Sequence, residues 1–141
     1  MIYFPNMVLD NDSFYNCTGL TEVTTPPKYT IGNKYPFREC TSMRKVRMNV
    51  TALNYACLRF PGRTLQGQCA LYLPEAFTNF ASNWEYDRNK YNIIMSSVTV
   101  LANNPGNGAY AVYVPDSAVD DYKAAWSSIA TKIHPLNEWN G

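Results

Sequence analysis

The sequence predicts an α+β chain in one domain, residues 1–141: a short β-solenoid closed at its C-terminus by a strand and an amphipathic helix. Three observations predict it. A segment near the N-terminus recurs 23 residues further on, a β-rich stretch with a dense turn spans 97–114, and apolar residues return at helical intervals from 119 to 133. An apolar fraction of 46% with 16% charged residues excludes a disordered chain, and 141 residues suffice for a core without disulfide or metal staples. The formal charge of +1 offers no field for steering a nucleic acid.

The repeat is the first element. Phe14-Tyr15-Asn16-Cys17-Thr18-Gly19-Leu20-Thr21-Glu22-Val23 returns as Phe37-Arg38-Glu39-Cys40-Thr41-Ser42-Met43-Arg44-Lys45-Val46, and Val8 and Ile31 keep the same displacement of 23 residues. An aromatic, a Cys and a β-branched residue in one register, at a period inside the leucine-rich-repeat range, predict a leucine-rich-repeat-like β-solenoid. Leu20 and Val23, then Met43 and Val46, belong to short strands whose inward side chains stack on the equivalent residue of the next unit. Residues 8–74 hold these repeat-like units, with Cys69–Pro74 as an atypical third strand. Two clear copies are few for a stack, so both ends need closing.

The middle, 75–96, reads as an irregular excursion. Phe77, Phe80 and Trp84 at spacings of three and four fit a short helical turn, ahead of the polar run Glu85–Lys90. The closing unit, 97–141, begins with Ser97–Leu101 as a β-branched strand, the turn Asn103–Gly108, and the strand Ala109–Val114 halted at Pro115. Val119, Tyr122, Trp126, Ile129 and Ile133 then form one apolar stripe of a final helix. Asp116 or Ser117 is placed to cap it, Asp120 and Asp121 complement its positive end and Lys132 its negative end, and Pro135 stops it.

The stretch Tyr113-Val114-Pro115-Asp116-Ser117-Ala118-Val119-Asp120-Asp121-Tyr122-Lys123-Ala124-Ala125-Trp126, followed by Ile133-His134-Pro135-Leu136, closely resembles the ending of BspA-type leucine-rich repeat proteins. The two FxxCT(G/S)(L/M)xxV copies resemble that family's repeats. The resemblance implies surface attachment and protein binding rather than catalysis, in gut bacteria of the Bacteroides group and in their phages, with no shared catalytic residues. Few repeats, an irregular middle and no secretory leader set this chain apart from the surface adhesins and favour a phage virion component. The alternative is a bacterial cell-surface or secreted binding protein.

The chemistry-bearing residues support a non-enzymatic reading. Cys17, Cys40, Cys57 and Cys69 form no CxxC pair and read as unpaired, buried thiols, and the sole histidine, His134, has no nucleophile or carboxylate in a recognisable motif and reads as a helix-end residue. The aspartates lack the pattern of a calcium loop, and Asn103–Gly108 lacks that of a phosphate loop, so no cofactor is expected. No apolar run is long enough for membrane insertion, and no nucleic acid is expected as a partner.

Two surfaces remain as candidates. Trp84, Tyr86, Arg88 and Tyr91 could recognise a protein or a glycan, because flat rings stack and a guanidinium supplies a fork of donors, although an aromatic run of this kind also packs inward. Ile2, Tyr3, Phe4, Met7 and Val8 mark an N-terminal face without a cap, expected to dock on a second copy or a partner chain.

Overall fold

The computed structural model describes residues 2–3, 14–25, 37–53, 65–82, 84 and 89–141. Seven short strands, β1 (Ile2–Tyr3), β2 (Glu22–Thr24), β3 (Lys45–Arg47), β5 (Gln66–Tyr72), β7 (Lys90–Ile94), β8 (Ala109–Val114) and β9 (Ile133–Pro135), make one sheet in the order of the chain. Every neighbouring pair in it is parallel. A second, two-stranded parallel sheet pairs β4 (Ala52–Leu53) with β6 (Asn79–Phe80). The architecture is thus mixed α/β with few helices. Chain-order parallel pairing means that each connection leaves one strand and returns beside it, so each unit rests on the one before.

The 23-residue repeat is also a repeat of backbone geometry. Asn16 and Glu39 both adopt a left-handed φ, 59° and 65°. Cys17 N–H donates to Phe14 O and Cys40 N–H to Phe37 O, Thr18 to Asn16 O and Thr41 to Glu39 O, Leu20 to Cys17 O and Met43 to Cys40 O. Asn accepts that conformation readily, whereas Glu39 holds it at a cost of about 1 kcal/mol, offset by the two turn bonds it completes. The side chains stack as the repeat requires. Phe14 lies flat on Phe37 at 5.6 Å, and the Cys40 thiol donates to Phe14 O at 3.0 Å. Cys17, Cys40 and Cys69 are free thiols, the latter two buried, whereas Cys57 lies outside the described residues, as do Val8 and Ile31. Burial pushes the Cys40 thiol up to about 11, which makes it a small apolar filler.

Alternation along each strand sends one column inward. Val23, Val46, Leu71, Ile93, Val112 and Ile133 are paired in register one after another and are all buried. A second column runs through Thr25, Met48, Leu73 and Met95, just past their strands, and Val114, the last residue of β8; N–H groups there still bond to the next strand, as in Met48 N–H to Tyr72 O and Met95 N–H to Tyr113 O. Full burial of each aliphatic side chain contributes roughly 1.5–3 kcal/mol, so these columns are a main source of cohesion.

Several expectations fail in instructive ways. The irregular excursion at 75–96 contains β6 and the central strand β7, and of the helical turn expected across Phe77, Phe80 and Trp84 only Trp84 has 3₁₀ geometry among the described residues. Phe77 and Phe80 meet edge to face at 4.8 Å, brought together by the turn before β6. Residues 97–101 are not a strand. Their carbonyls are claimed by side chains from above: the single Tyr122 hydroxyl hydrogen is shared between Ser97 O and Thr99 O, at 3.0 and 3.1 Å from Oη, and Trp126 Nε1 donates to Leu101 O at 3.0 Å. Val98 is exposed accordingly.

The apolar stripe faces the core as expected, with Tyr122, Trp126, Ile129 and Ile133 buried, but it is not one helix. α1 spans Val119–Ala125, a 3₁₀ segment follows over Ser127–Lys132, and Ile133 already belongs to β9. The backbone leaves helical geometry at Trp126 (φ −107°, ψ 48°) and Ile129 (φ −125°, ψ 19°), and this brings the chain back beside β8. Neither Asp116 nor Ser117 caps the helix; Asp116 Oδ1 accepts from Asn137 N–H instead. Lys132 reaches Ala109 O at 2.9 Å, and Pro135 sits in β9. His134 is likewise a strand residue and not a helix end.

Candidate binding surface

The residues between the inward columns point to the other face of the sheet. The register aligns Thr24, Arg47, Tyr72, Ile94, Tyr113 and His134 across six successive strands. Beside them runs a second row, Glu22, Lys45, Ala70, Asn92 and Ala111. A parallel sheet brings equivalent side chains close from strand to strand. The structure uses that proximity to stack an exposed Arg47 guanidinium 4.3 Å from the centre of the Tyr72 ring, with Lys45 Nζ 5.7 Å from it. Lys45 also stands 4.0 Å from Glu22 Oε1, a half-buried pair at the surface that contributes little to stability.

Further along the row an aromatic cluster forms. Trp139, from the segment after β9, packs against Tyr113 at 4.9 Å and Tyr72 at 6.4 Å, and its Nε1 donates to Tyr72 Oη at 2.9 Å. The His134 ring lies 5.4 Å from Tyr113, and its Nδ1 is 3.5 Å from Glu138 Oε2. At the C-terminal ends of β2, β3, β5 and β7 the surface dips into a shallow hollow of about 260 Å³ lined by Thr24, Arg47, Asn49, Tyr72 and Ser96 among others. Asn49 is fixed there by Thr25, its N–H donating to Thr25 Oγ1 and its Nδ2 to Thr25 O. A larger cleft of about 350 Å³ opens beside Ser82, Asn103 and Asn104, but among the described residues no charged side chain lines it. The combination of flat rings, a guanidinium and fixed amides is the composition of recognition surfaces.

Comparison with protein-family models, with curated proteins and with solved structures finds no match. Any assignment therefore rests on the geometry and the sequence.

The aromatic cluster expected at 84–91 does not supply this surface. Trp84 and Tyr91 are brought together, rings 5.9 Å apart, but both are buried, 4% and 1% exposed, and Trp84 Nε1 is spent on Pro105 O at 2.7 Å. The Tyr91 ring fills the interior because β7 is a central strand whose odd-numbered residues point inward, and Trp84, ahead of that strand, packs beside it. A Cβ added at Gly108 would collide with the Trp84 indole, so the glycine makes room for it. Tyr86 and Arg88 lie outside the described residues.

Of the N-terminal docking face, Ile2 and Tyr3 form β1 and pair with Val23 and Thr24, so the stack begins earlier than residue 8. Phe4, Met7 and Val8 lie outside the described residues. Among the described residues no group of three His, Cys, Asp or Glu is placed to hold a metal ion, and no helix is long and apolar enough to cross a membrane.

Arg47, Tyr72, Tyr113, His134 and Trp139 were not singled out by sequence reasoning as a site. The signal that could have found the first four is the period-2 alternation around the inward column. Each lies one residue beyond an inward Val, Leu or Ile, at the same place in its unit.

Proposed function

We propose that this chain is a non-enzymatic binding module: a short leucine-rich-repeat-like solenoid of the BspA type, serving as a structural or adhesion component of a phage particle. The observation that carries the reading is the outward row Thr24, Arg47, Tyr72, Ile94, Tyr113 and His134 on a sheet stacked in chain order. Stacked units create an extended, continuous face, which repeat proteins use for binding macromolecules. The ligand is a protein, or a glycan whose rings stack on the same tyrosines. The backbone repeat shared by 14–23 and 37–46 supports the repeat-family part of the reading.

The N-terminal edge, where β1 closes the sheet, is proposed as a second contact with a copy or partner in an assembly. Labelled chain incubated with intact cells of the Bacteroides group tests the adhesion role. Saturable binding by the wild type, reduced about tenfold or more by Arg47→Ala with Tyr113→Ala, supports it, that loss being about 1.4 kcal/mol. Binding that the double variant keeps in full removes the outer face from the account. Mass spectrometry of purified phage particles tests the virion role; the chain's absence from them would contradict it.

A further inference from the structure

The outer face is not bare. Ile94 belongs to the outward row, between Tyr72 and Tyr113, yet it is only 7% exposed. Trp139 contacts the tyrosine on each side of it, and the segment continues until Gly141 O comes within 3.5 Å of Lys45 Nζ on β3. The chain's last residues thus lie across the strands whose side chains make the candidate surface.

The way this segment is held shows what the face recognises. After β9 it forms one 3₁₀ turn, Leu136–Glu138, and joins no strand ladder. Its contacts with the sheet face are the indole between two tyrosine rings, the indole N–H on the Tyr72 hydroxyl, Gly141 O near the Lys45 ammonium, and Glu138 Oε2 3.5 Å from His134 Nδ1. The indole and main-chain contacts could be made by a tryptophan and the two residues after it in any extended peptide, and the His134 contact by a carboxylate just before it. Arg47 remains exposed beside the segment, its guanidinium stacked on Tyr72 and paired with no carboxylate among the described residues. A partner carrying an acidic group there would gain an ion pair that the chain's own segment does not make.

We propose that the outer face is a receptor for a tryptophan-bearing, acidic peptide segment of a partner protein, and that residues 136–141 are a strap occupying it until displaced. The proposal rests on the outer face being the binding surface and adds its ligand class and its regulation. Tethering gives the strap an effective concentration on the order of millimolar, so a partner must bind through more contacts than Trp139 alone, and Arg47 supplies one.

The test uses the full chain, wild type and Trp139→Ala, with an end-blocked synthetic peptide Leu-Asn-Glu-Trp-Asn-Gly as probe and its tryptophan-to-alanine form as control. Ring and methyl NMR shifts of Tyr72, Tyr113 and Ile94 are followed. The expected result is saturable binding to Trp139→Ala with a Kd on the order of 0.1 mM, about a tenth of the strap's effective concentration, about tenfold weaker binding to the wild type, and none of the control peptide. A Trp139→Ala protein that melts cooperatively but shows no shifts, or a wild type that binds equally well, overturns the strap. In the wild type alone, the Trp139 indole N–H should exchange with solvent at least about tenfold faster than that of Trp126, since the strap opens without unfolding. Equal protection of the two also overturns it. If cell binding still depends on Arg47 and Tyr113 while the peptide fails, the strap falls and the proposed function stands.

Discussion

Trp126 joins the closing unit to the stack, and its replacement gives a test with a worked magnitude. The side chain is 1% exposed, meets Tyr122 edge to face at 4.8 Å and Phe80 at 6.5 Å, and holds Leu101 O through its N–H. Trp126→Ala removes the ring contacts and leaves a cavity, an effect of about 3–5 kcal/mol. Losing the hydrogen bond to Leu101 O lies partly within that figure and is worth about 1 kcal/mol by itself. Trp126→Phe separates the two contributions, because it keeps a ring between Tyr122 and Phe80 while removing the N–H; its expected cost is about 1–2 kcal/mol. Urea unfolding followed by far-UV circular dichroism gives both values, with the slope held constant between variants. Since a domain of this size has about 5–15 kcal/mol in total, Trp126→Ala should sit near the edge of folding. A loss below about 1 kcal/mol for Trp126→Ala, or equal losses for both variants, would refute the packing described for α1.

Other outcomes follow from the same contacts. Gly67 has φ +86°, and a Cβ there would come within 2.6 Å of the Tyr110 ring, so Gly67→Ala should cost roughly 1–3 kcal/mol in the same assay; adding Tyr110→Ala should recover part of it. The Cys40 thiol, raised to about 11 by burial, keeps its proton in the folded chain while the unfolded chain loses it near 9, so stability should fall as pH rises from 9 to 11. Cys40→Ala should flatten that slope by at most about 2 kcal/mol over the interval, measured by urea midpoints at each pH; an unchanged slope would mean the thiol is not desolvated.

The parts of the fold legible in the sequence are those where one unit copies another. Phe14 and Phe37, Cys17 and Cys40, and Val23 and Val46 share a register because each pair occupies the same layer, and like side chains stack well. The copy fades where the connections change length. Val46 to Leu71 is longer than the first interval and Ile93 to Val112 shorter, so a fixed period could not reach β5, β7 and β8 even though the inward column passes through all of them. Irregular pairing deepens the disguise. β5 shifts register between Gln66 and Ala70, and β8 carries Tyr110 as an extra residue pointing outward.

Propensity misled at 97–101, where β-branched residues suggest a strand but Tyr122 and Trp126 draw on carbonyls that a ladder would have used. The apolar stripe at 119–133 identified the buried side of the closing unit without identifying its backbone, since one helix and a 3₁₀ segment followed by a strand can present the same residues inward. The outer face was hidden for a related reason. Its residues lie far apart in sequence, and only the strand register places Arg47 beside Tyr72, with Trp139 then reaching both Tyr72 and Tyr113.

The binding face, the strap and the core columns all depend on that register. Methyl-to-methyl nuclear Overhauser effects in a chain selectively labelled at Val, Leu and Ile methyl groups test it directly. An unbroken series of contacts is expected from Val23 to Val46, Leu71, Ile93, Val112 and Ile133, one strand at a time. A series broken between Val46 and Leu71 or between Ile93 and Val112, with the neighbouring residue making the contact instead, would turn Arg47, Tyr72 and Tyr113 onto different faces and contradict the account.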